Sequence, residues 1–167
     1  GDRRLARLND MEVLYPCFCT REEIQAEIEH SDRAPHGPLG TIYPGICRAM
    51  SVAERRDRLA AGEAHALRMN AAKALDVAAS PLLWREISGK TPEDIPCDLS
   101  QLGDVVLARK DVPTSYHLAV TLDDHLQGIT LVARGQDLFH ATHVHRLLQA
   151  LLGLNTPDYW HHRLIDG

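Results

Sequence analysis

The chain predicts an α/β fold, and three observations carry that reading. Its last third alternates short apolar runs with amphipathic stretches: Asp104–Arg109, a segment opened by Pro113, Ile129–Arg134, then Val144 to Leu152, then Tyr159–Ile165. In the first third, Thr20-x-x-Glu23 and Ser51-x-x-Glu54 mark helix starts, because hydroxyl and carboxylate can each satisfy a free backbone N–H there. A hydrophobic content of 44% in 167 residues suffices for one domain, or one domain plus a small appendage.

Taken in order, residues 2–11 read as the tail of a helix that Tyr15-Pro16 breaks. The first capping box opens a helix from Arg21 to Glu29, and the Pro- and Gly-rich stretch from Ser31 to Gly45 is an irregular loop. The second capping box opens a helix that Gly62 ends. His65–Lys73 is ambiguous: its alanines favour helix, whereas the alternation of Ala66, Leu67, Arg68 and Met69 fits a strand. Leu82–Ile87 reads as a short strand, followed by a turn at Ser88–Pro92 and a polar loop to Leu102. Asp104–Arg109 and Ile129–Arg134 are strands flanking a helix with Tyr116, Leu118, Ala119 and Leu122. Val144, Leu147, Leu148, Leu151 and Leu152 then keep one apolar helix face until Gly153. Strand–helix–strand succession of this kind signals parallel crossovers and half of an open α/β sheet.

Charge and composition narrow the function. A net charge of −5 argues against a broad basic surface that grips phosphates. Arg48, Arg55, Arg56 and Arg58 form a local basic strip, read as a solvated helix face in preference to an RNA contact. No apolar run approaches the roughly 20 residues that span a bilayer, and no signal-peptide pattern is present. The expected compartment is the cytoplasm, where cysteine serves metal binding more readily than disulfides.

Cys17-Phe18-Cys19 and Tyr43-Pro-Gly-Ile-Cys47-Arg48 hold the chemistry of the first third. Thiolates are soft zinc ligands and a tetrahedral site needs four donors. Cys17, Cys19 and Cys47 supply three, with Tyr43 or a nearby histidine such as His36 as the fourth. A metal there ties together both ends of the irregular loop. In the last third, Arg134-Gly135-Gln136-Asp137 sits where a strand turns into a helix, the end at which open parallel sheets bind ligands. Arg134 there either receives a carboxylate or phosphate with its planar fork or pairs with a surface carboxylate. Tyr116 either reaches the same crevice or is a core aromatic. His140, His143, His145, His161 and His162 have no evident carboxylate partner, and read as exposed or capping residues. Cys97 reads as a free thiol and Asp123-Asp124 as helix-end carboxylates. There is no Walker A loop, GxGxxG or GxSxG.

Several of these motifs carry a resemblance that covers nearly the whole chain. Cys17-x-Cys19-Thr-Arg, Tyr43-x-Gly-x-Cys47-Arg48, Asp111-x-Pro-Thr-Ser-Tyr116-His-Leu-Ala, Asp123-Asp124, Gln127-Gly128-Ile-Thr and Arg134-Gly-Gln-Asp-Leu138 together resemble the glutamyl-Q tRNA(Asp) synthetases. Those enzymes are truncated relatives of class I glutamyl-tRNA synthetase. The resemblance implies part of a class I Rossmann-type catalytic domain with a zinc-binding insertion. The insertion region falls at 1–62 and the α/β catalytic-core portion at 63–167. It implies a zinc site of Cys17, Cys19, Tyr43 and Cys47, and a glutamate pocket lined by Tyr116 and Arg134. It further implies activation of glutamate by ATP, with Mg²⁺, to an acyl-adenylate, and transfer to queuosine in the anticodon of tRNA(Asp) by a monomer without membrane attachment.

The family's HIGH-type and KMSKS-type ATP motifs are absent from these 167 residues. They are expected to precede Gly1 and to follow Gly167, so the chain is expected to be a fragment that makes no adenylate alone. Ordinary glutamyl-tRNA synthetase, charging tRNA(Glu), is the nearest alternative, and a non-catalytic zinc module is another. The close zinc spacing, the Ser-Tyr-His-Leu-Ala run and the His161-His162-Arg-Leu-Ile ending favour the glutamyl-Q enzymes.

Overall fold

The computed structural model describes residues 3–29, 36–79, 81–109 and 116–163. They divide into two compact units, one drawn from residues 1–73 and 100–115, the other from 74–99 and 116–167.

The first unit is built on a three-stranded antiparallel sheet in the order β1-β4-β7, where β1 is Leu14–Cys17, β4 Ala66–Met69 and β7 Val106–Arg109. Helix α1, Arg3–Asp10, precedes β1, and Leu8, Val13, Met69 and Leu107 are fully buried around them. Each such side chain contributes about 1.5–3 kcal/mol on leaving water. Cys17 faces Ala66 across the β1–β4 ladder, so the sheet fixes the height of the first cysteine.

The hydroxyl half of both capping boxes acts as the sequence specifies. Glu23 N donates to Thr20 Oγ1 at 3.1 Å ahead of α2, Arg21–Glu29. Glu54 N donates to Ser51 Oγ at 3.1 Å ahead of α3, Val52–Ala60, and Gly62 follows at φ 71°. The ambiguous segment resolves into both of its readings, strand β4 and then helix α4, Ala71–Ala78. Asn70 makes the switch: its side-chain oxygen accepts from Lys73 N at 3.1 Å. Three strands of this unit were not read from the sequence. Tyr15-Pro16 lies within strand β1, and His36–Gly37 (β2) pairs with Gly40–Thr41 (β3) as a small hairpin in the irregular loop.

The second unit carries a four-stranded sheet in the order β6-β5-β9-β8. Its strands are β5 Leu83–Glu86, β6 Glu93–Pro96, β8 Leu131–Gly135 and β9 Asp158–His162. Strand β9 is parallel to both β5 and β8, and β6 runs antiparallel to β5 in the stretch read as a polar loop. Between β8 and β9 lies helix α6, Ala141–Leu152, with Val144, Leu147, Leu148, Leu151 and Leu152 all buried. Helix α5, Tyr116–Leu126, packs beside it. Trp84, Val132 and Tyr159 form the centre of a core cluster to which Ile95, Ile129 and Phe139 add.

The parallel crossover between Ile129–Arg134 and Tyr159–Ile165 is therefore present. The one expected between Asp104–Arg109 and Ile129–Arg134 is not, because β7 pairs antiparallel with β4 in the other sheet. Alternation of element types says nothing about strand partners. In that sheet Leu107 and Ala108 are buried, as is Asp104 just before the strand. The helix opening expected at Pro113 lies outside the described residues.

Candidate functional site

Two constellations stand out, one in each unit. In the first, β1 ends on Cys17, the next turn presents Cys19, and a 3₁₀ turn at Ile46–Ala49 presents Cys47. Gly45 begins that turn at φ 82°, where a Cβ would meet the Arg48 guanidinium at 2.8 Å; glycine is the residue that accepts both conditions. The three sulfurs lie within 4.8 Å of one another. Cys19 Sγ is 3.4 Å from Cys47 Sγ and 3.5 Å from the Tyr43 hydroxyl. Cys47 N donates to the Tyr43 oxygen at 2.8 Å and Phe18 N donates to Cys47 Sγ at 3.3 Å. The side chain of His36 lies outside the described set.

This donor set fits a tetrahedral zinc. Ligands about 2.3 Å from the metal stand roughly 3.7 Å apart, close to the separations here, and backbone N–H groups already point at two of the donor atoms. The protonation energetics agree. Burial lifts the Cys19 thiol to about 12, with the adjacent Cys47 and Cys17 adding to the rise against the pull of Tyr43. Burial and hydrogen bonds to the cysteines also raise Tyr43 far above an ordinary phenol. Cys17 is lowered: burial opposes this, but hydrogen bonds from Tyr43, the Cys19 backbone and Arg68 prevail. Three clustered thiolates repel one another, and a divalent cation is what reverses that cost.

Around the sulfurs is a shell the sequence did not announce. Arg68 stacks its guanidinium 3.8 Å from the centre of the Tyr43 ring and donates to Asp104 O at 2.7 Å. The buried Asp104 carboxylate accepts from Tyr15 Oη at 2.5 Å, Arg48 Nη1 at 3.0 Å and Ala71 N at 3.0 Å. It thus ties the residue two before Cys17 to the residue after Cys47. Arg55 donates to Cys47 O at 3.4 Å, and Arg58 lies 4.7 Å over Phe18 while pairing with Glu63. The basic strip is therefore not simply a solvated face: Arg48, Arg55 and Arg58 brace this centre, and only Arg56 fits the description. No local motif marks Asp104 or Arg68; chain separations of 36 and 89 residues hide their partnerships.

In the second unit, Arg134 stands near the end of β8. Its Nη2 donates to Asp124 Oδ2 at 2.5 Å and its Nη1 lies 3.1 Å from His145 Nδ1. The Arg134 side chain is 12% exposed and that of Asp124 24%. Burial raises the Asp124 carboxyl, and the arginine offsets only part of that. Tyr116, half exposed at the start of α5, sets its ring 5.6 Å from His117 and 6.0 Å from His145. Tyr116 and Arg134 thus converge on one histidine. Of the two readings of Arg134, the structure shows its pairing with a carboxylate of the chain itself, Asp124, which is therefore more than a helix-end group.

The histidines need the largest correction. His145 and His161 are buried, not exposed or capping. His161 also has the carboxylate partner missing from its sequence surroundings: Glu86 Oε1 sits 2.8 Å from its Nδ1, and its backbone N donates to Oε2 at 2.9 Å. Burial opposes ionisation of Glu86, but the bonds from His161, Trp84 and Ser88 together hold it below the usual range. These residues meet through parallel strands β5 and β9, a pairing with no local signature. His143 Nδ1 accepts from Asp98 N at 2.9 Å, while His140 and His162 are exposed. The free thiol of Cys97 donates to His143 O at 3.1 Å.

Comparison with known families places these features. The sequence model for tRNA synthetases class I (E and Q), catalytic domain, matches residues 8–167. The chain belongs to that family. As a class I synthetase catalytic domain it is 42% identical, over 96% of its own length and 57% of the relative's, to a glutamyl-Q tRNA(Asp) synthetase of Rhodobacter capsulatus. It is 41% identical to one of Nocardia farcinica, covering 96% of this chain and 46% of that one. The chain spans about half the length of the curated relatives it matches. Among solved structures, the glutamate-tRNA synthetase of Elizabethkingia anophelis superposes with a TM-score of 0.73 at 23% identity, covering 98% of this chain and 32% of that one. That likeness fixes the fold, the α/β class I catalytic domain. No helix among the described residues is long and apolar enough to cross a membrane.

Proposed function

We propose that this synthetase domain belongs to an enzyme that activates glutamate with ATP and transfers it to queuosine in the anticodon of tRNA(Asp). The relatives named glutamyl-Q tRNA(Asp) synthetase support the choice of reaction. The observation that carries the site is the Arg134 guanidinium, largely sheltered from solvent near the end of a parallel strand, with Tyr116 beside the same histidine.

A sheltered guanidinium offers five N–H donors in a fixed fork. Asp124 engages one terminal nitrogen, which leaves further N–H groups for the γ-carboxylate of glutamate. Glutamine's amide cannot supply the charge, so the same fork discriminates against it. In this reading the half-exposed Tyr116 adds a hydroxyl bond to the substrate. ATP enters with Mg²⁺, and the adenylate formed is the donor for tRNA. The enzyme acts as a monomer in the cytoplasm.

Zinc in this reading is structural. Cys17, Cys19, Tyr43 and Cys47 hold it, and it ties together the ends of the irregular loop within the 1–62 insertion region. Arg68, stacked on Tyr43, offsets the excess negative charge of three thiolates and a phenolate around a divalent ion.

The test is ATP–pyrophosphate exchange by the full-length protein with glutamate and with glutamine, followed by transfer to tRNA(Asp) with and without queuosine. Glutamate-dependent exchange and transfer only to the queuosine-bearing tRNA are expected. Charging of the 3′ end of tRNA(Glu) would overturn the reading in favour of glutamyl-tRNA synthetase.

A further inference from the structure

Helix α6 contributes a buried histidine that the proposed reaction leaves without a role. His145 is 1% exposed and sits between two nitrogen-bearing groups: Arg134 Nη1 at 3.1 Å from its Nδ1, and His117 Nδ1 at 3.3 Å from its Nε2. A guanidinium nitrogen can only donate. His145 Nδ1 must therefore accept, which makes the ring neutral and puts its proton on Nε2. That proton is directed at His117 Nδ1, so His117 accepts and is neutral as well. The result is a one-way chain of donors, Arg134 to His145 to His117, running from β8 through α6 to α5.

We propose that His145 is a positioning residue for glutamate recognition: as a neutral Nε2–H imidazole it holds one arm of the Arg134 fork and ties it to the helix bearing Tyr116. The inference rests on the proposed glutamate pocket and deepens it. Asp124 alone would leave Arg134 free to turn about a single contact, since it engages only Nη2. With His145 on Nη1 the guanidinium plane is held at two points, and the remaining N–H groups keep one direction. The same imidazole lies 6.0 Å from the Tyr116 ring, so the two proposed substrate contacts are indexed to one side chain. Burial, His117 and the facing Arg134 charge push the His145 pKa well below its ordinary value, and burial takes His117 down to about 4. Both directions agree with the neutral pair that the hydrogen bonds demand. A fully buried imidazole without these bonds would strand two polar nitrogens.

Three variants of the full-length protein separate this from a packing role. His145→Leu fills the space without an acceptor, and His145→Gln restores an oxygen that can take the Arg134 bond. In glutamate-dependent ATP–pyrophosphate exchange, His145→Leu should raise KM for glutamate about ten- to a hundredfold, the range for loss of a hydrogen bond to a charged group, with a smaller change in kcat. His145→Gln should recover most of that loss. An unchanged glutamate KM in a folded His145→Leu protein overturns the proposal, as does equal impairment in both variants, which would indicate shape alone. Arg134→Ala is the control on the parent reading: if it leaves glutamate KM unchanged, the glutamate pocket itself is wrong. Should His145→Leu not fold, nitrogen-15 NMR of the unaltered protein decides the matter at pH 7. A neutral His145 protonated on Nε2 is expected, and a proton on Nδ1 overturns the inference.

Discussion

Replacing Asp104 by alanine should be among the most damaging single changes in the first unit. The carboxylate is 3% exposed and accepts three hydrogen bonds. Two of its donors, the Tyr15 hydroxyl and the Ala71 backbone N–H, belong to buried residues, and leaving either unsatisfied costs about 1–3 kcal/mol. The third, Arg48, is half exposed and regains water, so it adds little. The expected loss is about 3–5 kcal/mol, close to that for breaking a buried charge pair. Urea denaturation of the zinc-loaded protein measures it. A double-mutant cycle tests the reasoning more sharply than the single value. Tyr15→Phe alone should cost about 1–2 kcal/mol, yet it should cost nothing in the Asp104→Ala background, where its hydroxyl has already lost its partner. Additive losses, or an Asp104→Ala loss below about 1 kcal/mol, would refute the account of Asp104 as the hub joining Tyr15, Arg48 and Ala71.

The other expectations are simpler. Metal analysis should find one zinc per chain, sharply reduced by Cys19→Ser, and binding should weaken in acid because ligation releases protons; equal zinc in both proteins would remove the centre. Arg134→Ala in the full-length protein should weaken glutamate activation by about 2–5 kcal/mol, the cost of breaking a buried charge pair, and Arg134→Lys should fail to restore it because the fork is lost. Burial pushes His117 down to about 4 in the fold, against 6.5 for an ordinary imidazole. As pH falls below 6.5 the unfolded chain therefore takes up a proton that the folded chain refuses. Its contribution is complete above pH 6.5 and falls by up to about 1.4 kcal/mol per pH unit down to pH 4. Denaturation at stepped pH should show this slope reduced in His117→Asn.

Local chemistry was legible wherever the cause is local. Thr20 and Ser51 announce their helices because a cap is a contact three residues long. The apolar face of Val144 to Leu152 announces α6 because burial repeats with the helix period. Cys17 and Cys19, with Cys47 four residues after Tyr43, announce a cluster of donors able to hold a metal because donor type and spacing are written in the chain, and the sulfurs do meet. What tertiary structure decided is which distant groups share a dry space. Strand β7 could have joined either sheet, since its own residues show only that it is apolar; pairing with β4 put it in the first unit. Asp104 looked like the first residue of a strand and is a buried hub for partners 33 to 89 residues away. Glu86 and His161 are 75 residues apart and meet only because two parallel strands bring them into register. His145 read as one of several exposed or capping histidines, and it is buried between Arg134 and His117. A buried polar group must find a partner or lose the free energy of its hydration, and only the folded chain determines which partner stands within reach.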